Sequence, residues 1–224
     1  MTDGGRNVDA TVDMSDMSNA RADVRTAKGE LRRGALARRR LTTPDERRGA
    51  GEALAAAARR AGLTGASPVV AAYVSMGTEI DMTPLLRAFL DAGRRVLVPR
   101  LGRGLDVGWS VLETLDDLTS AGERRPDEPM RAATLGPEAL RDAGLVLVPA
   151  LGVDARGTRL GRGGGWYDRA LAFRAPSALV AAVCWPWETL GAGGGTLPCE
   201  AHDLPVDAVL TPDGFRRVGR ARTA

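Results

Sequence analysis

Lysine is almost missing from this chain: Lys28 is the only one among 31 Lys and Arg residues. Histidine occurs once, as His202, and cysteine twice, as Cys184 and Cys199. Two thiols and one imidazole are too few ligands for a structural zinc site. No secretory signal accompanies the cysteines, so a disulfide is not expected. Aromatic residues make up only 4%, with no stacking ladder for bases. The net charge of +3 is modest and the arginines are spread along the chain, which argues against nucleic acid as a partner. No apolar run approaches the length of a bilayer span, and the N-terminus lacks the apolar stretch of a signal peptide. The expectation is a soluble cytoplasmic monomer that binds neither nucleic acid nor membrane.

What is present is a globular composition. The chain has 224 residues, 44% of them apolar, enough for one domain with a sizeable core. Residues 1–25 are polar and read as a disordered leader. A single domain is expected over 26–216, followed by a basic tail over 217–224. Thr26 to Arg40 has a helical pattern. Thr43, Pro44 and Asp45 look like an N-cap followed by a first-turn proline, opening a helix that ends at Gly62. A further helix is expected over Asp81 to Ala92, with shorter ones over Pro137 to Ala143 and Tyr167 to Phe173. Strand-like runs cover Pro68 to Ser75, Arg95 to Leu101, Val107 to Leu112, Leu145 to Leu151, Ala178 to Trp185 and Ala208 to Thr211. Continuous apolar strands alternating with helices predict an α/β three-layer sandwich, with a mostly parallel, Rossmann-like open sheet. Ligands in such folds bind beyond the carboxyl ends of the strands. Met76 to Met82, Pro149 to Asp168 and Trp185 to Asp203 sit there.

The second of these segments carries the sharpest signal. Gly161, Gly163, Gly164 and Gly165 fall among Arg159, Arg162, Trp166, Tyr167, Asp168 and Arg169. A loop with so few side chains brings backbone N–H groups close to a ligand, the arginines add positive charge, and Asp168 can hold a metal. A polyphosphate with Mg²⁺ fits that chemistry. The loop is neither a Walker A motif nor a dinucleotide fingerprint, since no Gly-Lys-Ser/Thr ends it and a long gap separates it from the preceding strand. A flexible surface turn is the plain alternative. Lys28 and Arg32 lie four residues apart, on one face of a helix, so both cations can reach one phosphate chain.

The stretch Leu145 to Leu171 resembles the signature of the 5-formyltetrahydrofolate cyclo-ligases, also called 5,10-methenyltetrahydrofolate synthetases. The matching residues are Pro149, Asp154, Gly157, Arg159, Leu160, Gly161, Gly163, Gly165, Tyr167 and Asp168. The resemblance extends over about Thr26 to Thr211. It takes in Lys28 and Arg32, Glu79, and a Pro-x-Glu-x-His-Asp segment at Pro198, Glu200, His202 and Asp203. Met82 and Glu188 depart from the family's usual Thr and Gln.

That resemblance implies an ATP- and Mg²⁺-dependent ligase converting 5-formyltetrahydrofolate to 5,10-methenyltetrahydrofolate. It implies ATP contacts from Lys28, Arg32, Arg159, Leu160, Gly161, Arg162, Gly163, Gly164, Gly165, Trp166 and Tyr167. The folate is expected at Val74, Glu79, Arg162, Gly163, Gly164, Gly165 and Trp166. Mg²⁺ is expected at Asp168 and Asp203, and the catalytic groups at Lys28, Arg159 and Asp168. A carboxylate at Glu79 suits the adjacent N–H donors of a pterin, although a first-turn Glu that favours a helix dipole reads the same way. A non-catalytic folate- or nucleotide-binding relative is the alternative, supported by the departures at Met82 and Glu188.

Overall fold

The strand runs 69–71, 145–149 and 179–183 are apolar at every position, and successive residues point to opposite faces, so both faces need a cover. The computed structural model describes residues 14–101, 106–122, 125–129, 132–191 and 193–219. In chain order the elements are α1 (Met14–Arg39), α2 (Pro44–Arg60), β1 (Val69–Ala71), α3 (Thr83–Asp91), β2 (Arg95–Leu101), β3 (Val107–Leu112), β4 (Leu118–Thr119), β5 (Glu128–Pro129), β6 (Leu145–Pro149), β7 (Gly152–Val153), β8 (Arg159–Leu160), α4 (Trp166–Leu171), β9 (Leu179–Val183), β10 (Ala208–Thr211) and β11 (Gly214–Arg217).

Seven strands form the main sheet in the order β11-β10-β9-β6-β1-β2-β3. The run β10-β9-β6-β1-β2 is parallel, and both edge strands, β3 and β11, pair antiparallel. Val70, Leu145, Leu147, Ala181 and Val183 face one core, together with Leu54 of α2 and Leu85, Leu86 and Phe89 of α3. Ala71, Val146, Val148, Val180 and Ala182 face the other, with Ala170 and Leu171 of α4 and Leu140 of the 3₁₀ turn Pro137–Asp142. The result is the three-layer α/β sandwich expected. Among the described residues no helix is long and apolar enough to cross a membrane.

The predicted N-cap of α2 is present as a reciprocal box. Thr43 Oγ1 accepts from the Glu46 N–H at 3.1 Å, and a Glu46 carboxylate oxygen accepts from the Thr43 N–H at 2.6 Å. Helix α1 differs from expectation, beginning at Met14 instead of Thr26. Residues 14–27 contain neither Gly nor Pro, so nothing in them stops a helix from extending N-terminally. Of the leader expected over 1–25, residues 1–13 lie outside the described residues, as do 220–224 of the basic tail. Strand β11 was not anticipated. It is a half-exposed edge with Arg216 and Arg217, and its sequence has no apolar alternation to mark it.

Three strands stop short of their apolar runs. β1 ends at Ala71, β6 at Pro149 and β9 at Val183. Beyond β1 and β6 the chain leaves the ladder and becomes the wall of a cavity. The turn after β7 illustrates how tightly these loops are fixed. Buried Asp154 accepts from the N–H groups of Arg156 and Thr158, both at 2.9 Å, and of Leu197 at 3.1 Å. Gly157 has φ +86°, and a Cβ there would lie 2.3 Å from the Val206 carbonyl oxygen. Val206 N–H in turn donates to the Gly157 carbonyl at 2.9 Å. Left-handed strain and a backbone clash should together make Gly157→Ala destabilising by at least about 2 kcal/mol. Urea unfolding measures this; an unchanged midpoint would mean that the turn is free to relax.

Candidate active site

From β1 the sheet grows in one direction through β2 and β3, and from β6 in the other through β9 and β10. The gap between β1 and β6 is therefore the topological switch point, where open α/β sheets bind ligands. A cavity of about 270 Å³ opens there. Tyr73, Val74, Met76 and Glu79 line it after β1, and Pro149, Ala150 and Leu151 after β6. The glycine loop, three cations of α1, and Glu200, His202 and Asp203 complete the wall, with Pro99, Leu101 and Pro126 at the far side.

Lys28, Arg32 and Arg39 are spaced i, i+4 and i+11, which keeps them on one stripe of α1. Between them Ala35 and Leu36 pack on Leu151, Leu160 and Leu197. Lys28 is 4% exposed. Its ammonium donates to Asp203 Oδ2 at 2.5 Å and Glu200 Oε2 at 2.8 Å. Burial pulls the ammonium's pKa down, but the two carboxylates outweigh that and hold it above the usual lysine value. Burial likewise works to raise the Asp203 carboxyl, yet the Glu200 N–H and Lys28 bring it below the ordinary range. Arg32 Nε donates to the Gly161 carbonyl at 2.8 Å.

Arg39 is the residue that sequence reasoning missed. It is the only buried member of the run Arg38 to Arg40. Its Nε and Nη2 donate to the two carboxylate oxygens of Glu188, each at 2.7 Å, and Nη2 also reaches the Ala150 carbonyl at 2.6 Å. Glu188 Oε2 accepts from the Trp185 N–H at 2.9 Å. The departure at Glu188 is thus half of a buried bidentate pair that seats α1. Met82 is equally structural: it is 0% exposed and belongs to the α2–α3 core.

The glycine loop begins at Arg159, itself 9% exposed. Arg159 Nη1 donates to the Pro149 carbonyl at 3.1 Å, and Nη2 to Asp168 Oδ1 at 3.3 Å. Its Nε is buried with no hydrogen-bond partner among the described residues. A Cβ at Gly161 would lie 2.7 Å from Arg159 Nη1, so glycine at that position lets the loop follow the guanidinium closely. Trp166 stands edge-on to Trp109 and Tyr167, with centroids 5.2 and 4.8 Å away, and its indole N–H donates to the Asp106 carbonyl at 3.1 Å.

Glu79 is 6% exposed. Burial raises its pKa, opposed by Arg162 and by the Met76 N–H. Arg162 Nε lies 3.3 Å from Oε1, and Met76 N–H donates to Oε2 at 3.0 Å.

Nearly all the expected site residues therefore meet in one cavity: Lys28, Arg32, Val74, Glu79, Arg159, Gly161 to Tyr167, Asp168 and Asp203. Leu160 is not among them; its side chain packs with Leu151 and Leu197. Asp168 and Asp203 are linked through the chain, because the N–H of Leu204 lies 3.5 Å from Asp168 Oδ1. Oxygen-only donors suit Mg²⁺. The ligand atoms of Glu200, His202 and Asp203 lie within 4.8 Å of one another, which adds Glu200 to the carboxylates available. The existing counter-charges are Lys28 on Asp203 and Glu200, and Arg159 on Asp168. Asp168, Glu200 and Asp203 offer the oxygen donors that a hard divalent cation takes. His202 is exposed and its Nε2 lies 4.0 Å from Asp203.

Comparison with known proteins points one way. The model of the 5-formyltetrahydrofolate cyclo-ligase family matches residues 24–212. A 5-formyltetrahydrofolate cyclo-ligase of Mycolicibacterium smegmatis is 37% identical over 193 residues, covering 83% of this chain and 94% of that protein. The Escherichia coli protein of the same name is 27% identical over 184 residues, covering 78% and 94%. Among solved structures, the Aquifex aeolicus 5,10-methenyltetrahydrofolate synthetase superposes with a TM-score of 0.69 at 27% identity, covering 88% of this chain and 95% of that one. A 5,10-methenyltetrahydrofolate synthetase from Mycoplasma pneumoniae, at 17% identity and a TM-score of 0.63, shares the fold.

Removing one partner of a buried ion pair strands the other, at about 3–5 kcal/mol. Arg39→Met should lose stability on that scale in urea unfolding. The double variant Arg39→Met/Glu188→Leu should recover much of it, since an apolar pair leaves no orphaned charge. Equal losses in single and double variants would show that the pair's charge is not what matters.

Proposed function

The chain belongs to the 5-formyltetrahydrofolate cyclo-ligase family, and from that premise we propose that its switch-point cavity is where ATP and 5-formyltetrahydrofolate react, with Mg²⁺, to give 5,10-methenyltetrahydrofolate, ADP and phosphate. The observation that carries this reading is the pairing of two unlike sites in one cavity. Lys28, Arg32 and Arg159 converge on the glycine loop, and a buried carboxylate, Glu79, lies against the same loop through Arg162. The first set suits phosphates and the second a pterin.

The formyl oxygen is a poor leaving group. It attacks the γ-phosphorus of ATP, ADP departs, and the formyl carbon now bears a phosphate. N10 attacks that carbon, the ring closes, phosphate leaves, and N10 gives up its proton. Both reacting groups of the folate belong to one molecule, so alignment supplies much of the rate. The protein's part is charge stabilisation and positioning, as in other phosphoryl transfers. No enzyme nucleophile is needed.

Lys28, Arg159 and Asp168 are the catalytic groups in this proposal. An ammonium has three donors; Glu200 and Asp203 take two from Lys28, which leaves one for a phosphate oxygen. Arg159 adds its guanidinium charge to the cavity wall. Arg32 and the backbone N–H groups of 160–165 complete the phosphate side, and Tyr167 packs beneath Arg159, its ring centroid 5.7 Å from the guanidinium carbon. Glu79, Val74, Gly163 to Gly165 and Trp166 hold the folate. Asp168 and Asp203 would hold Mg²⁺, which would neutralise phosphate charge. The enzyme acts as a cytoplasmic monomer on small molecules, without nucleic acid. A non-catalytic relative loses its support, because Met82 and Glu188 have packing and ion-pair roles.

The direct test follows the absorbance of the methenyl product with ATP, Mg²⁺ and 5-formyltetrahydrofolate. Folded protein that binds both substrates without releasing ADP would sink the catalytic reading. Lys28→Ala should raise the apparent KM for ATP about tenfold or more, the worth of a charged hydrogen bond. Lys28→Arg should recover only part, since a planar fork cannot replace a point charge held by two carboxylates. An ATP dependence unaltered by either change would remove Lys28 from the phosphate site. Asp168→Asn and Asp203→Asn should each shift the Mg²⁺ requirement upward; superimposable Mg²⁺ titrations would disprove the metal assignment.

A further inference from the structure

Resting on the reading of Glu79 as the pterin's carboxylate, we infer that Arg162 is an internal stand-in for the pterin, held on Glu79 in the empty enzyme and released when folate binds. A 2-amino-4-oxopyrimidine ring presents its N3–H and exocyclic amino N–H side by side. A guanidinium presents the same kind of paired donors. Glu79 has one oxygen committed internally, Oε2 to the Met76 N–H at 3.0 Å. The other, Oε1, faces Arg162 Nε at 3.3 Å. Pterin and Arg162 therefore compete for one carboxylate face.

Two of the glutamate–arginine pairs around the site differ in a way that fits this role. Arg39 and Glu188 are both buried side chains, 3% and 2% exposed, and meet at 2.7 Å. Glu79 is buried too, but Arg162 is 40% exposed and the contact is longer. Arg162 Nη2 makes only a 3.5 Å approach to the Met76 carbonyl. Arg162 also sits between Gly161 and Gly163, and the latter has φ +101° and lies against Arg32. Its backbone is thus part of the loop that faces the phosphate cations. A guanidinium leaving Glu79 is already beside the site where the polyphosphate is read to lie.

Exchange of this kind links the two substrates. Phosphate charge draws Arg162 from Glu79 and frees it for the pterin, and the pterin in turn frees Arg162 for the phosphates. Linkage requires the effect to be mutual. Calorimetry of 5-formyltetrahydrofolate binding tests it, without nucleotide and with Mg²⁺ and a non-hydrolysable ATP analogue. The wild-type protein should bind folate about fivefold or more tightly with the analogue, the lower end of ordinary coupling. Arg162→Ala should bind folate alone more tightly than wild type, and the analogue should then change its affinity by a factor near one. A wild-type factor of one, or an Arg162→Ala variant that keeps the wild-type factor, overturns the exchange. Glu79→Gln separates this from the premise. If that variant binds folate as wild type does, Glu79 is not the pterin's partner. If it weakens folate while Arg162→Ala leaves coupling intact, only the exchange fails.

Discussion

Everything at this site depends on seating the cationic stripe of α1 upon oxygen acceptors. The acceptors come from distant parts of the chain: Asp203 and Glu200 near the C-terminal end, the Gly161 carbonyl in the glycine loop, and Ala150 and Glu188 beyond β6 and β9. Each lies past the carboxyl end of the sheet. The helix is thus seated on the β6 and β9 side of the point where the two halves of the strand order diverge. A buried cation is tolerable only with such partners, so the requirement to satisfy Lys28 and Arg39 also fixes where the loops can lie.

The parallel sheet supplies the complementary constraint. Its central strands β1, β6 and β9 carry only apolar side chains and offer a ligand no polar side chain. Chemistry is confined to the segments that leave the ladder. Tyr73 to Glu79 leaves after β1, and Ala150 onward after β6. Gly157 and Asp154 then hold the second of these segments against the strip ending at Val206. That contact helps set Asp168 near Leu204, and so near Asp203.

Most of the layering was legible because continuous apolar strands and the Thr43 cap are local signals. The glycine loop was legible from its composition, and the roles of Lys28 and Arg32 from a helical spacing. Arg39 was not, since it hides in a run of three arginines and its partner Glu188 is 149 residues away. One signal for it existed: Arg39 falls on the same stripe as Lys28 and Arg32, seven residues beyond the latter, and Glu188 stood out as an unexpected acid. Helix α1 was cut short for a related reason. Residues 14–25 are polar and lack an apolar stripe, but they also lack any residue that ends a helix. The hairpin β7–β8, with two residues in each strand, is too short for alternation to reveal.

Among the described side chains, the apolar residues of α1 that join a hydrophobic cluster are Ala35 and Leu36, on a small satellite cluster separate from both main cores. Lifting the helix therefore uncovers little hydrocarbon, whereas separating α2 or α3 from the sheet uncovers a great deal. The molecule accordingly has two parts held by unlike forces. One is a sandwich held by hydrophobic burial, with the temperature dependence that burial brings. The other is a helical arm held by ion pairs, and so sensitive to ionic strength where those pairs meet solvent. Amide exchange in α1 would then report on the phosphate half of the site alone, while the sheet beneath it stays closed.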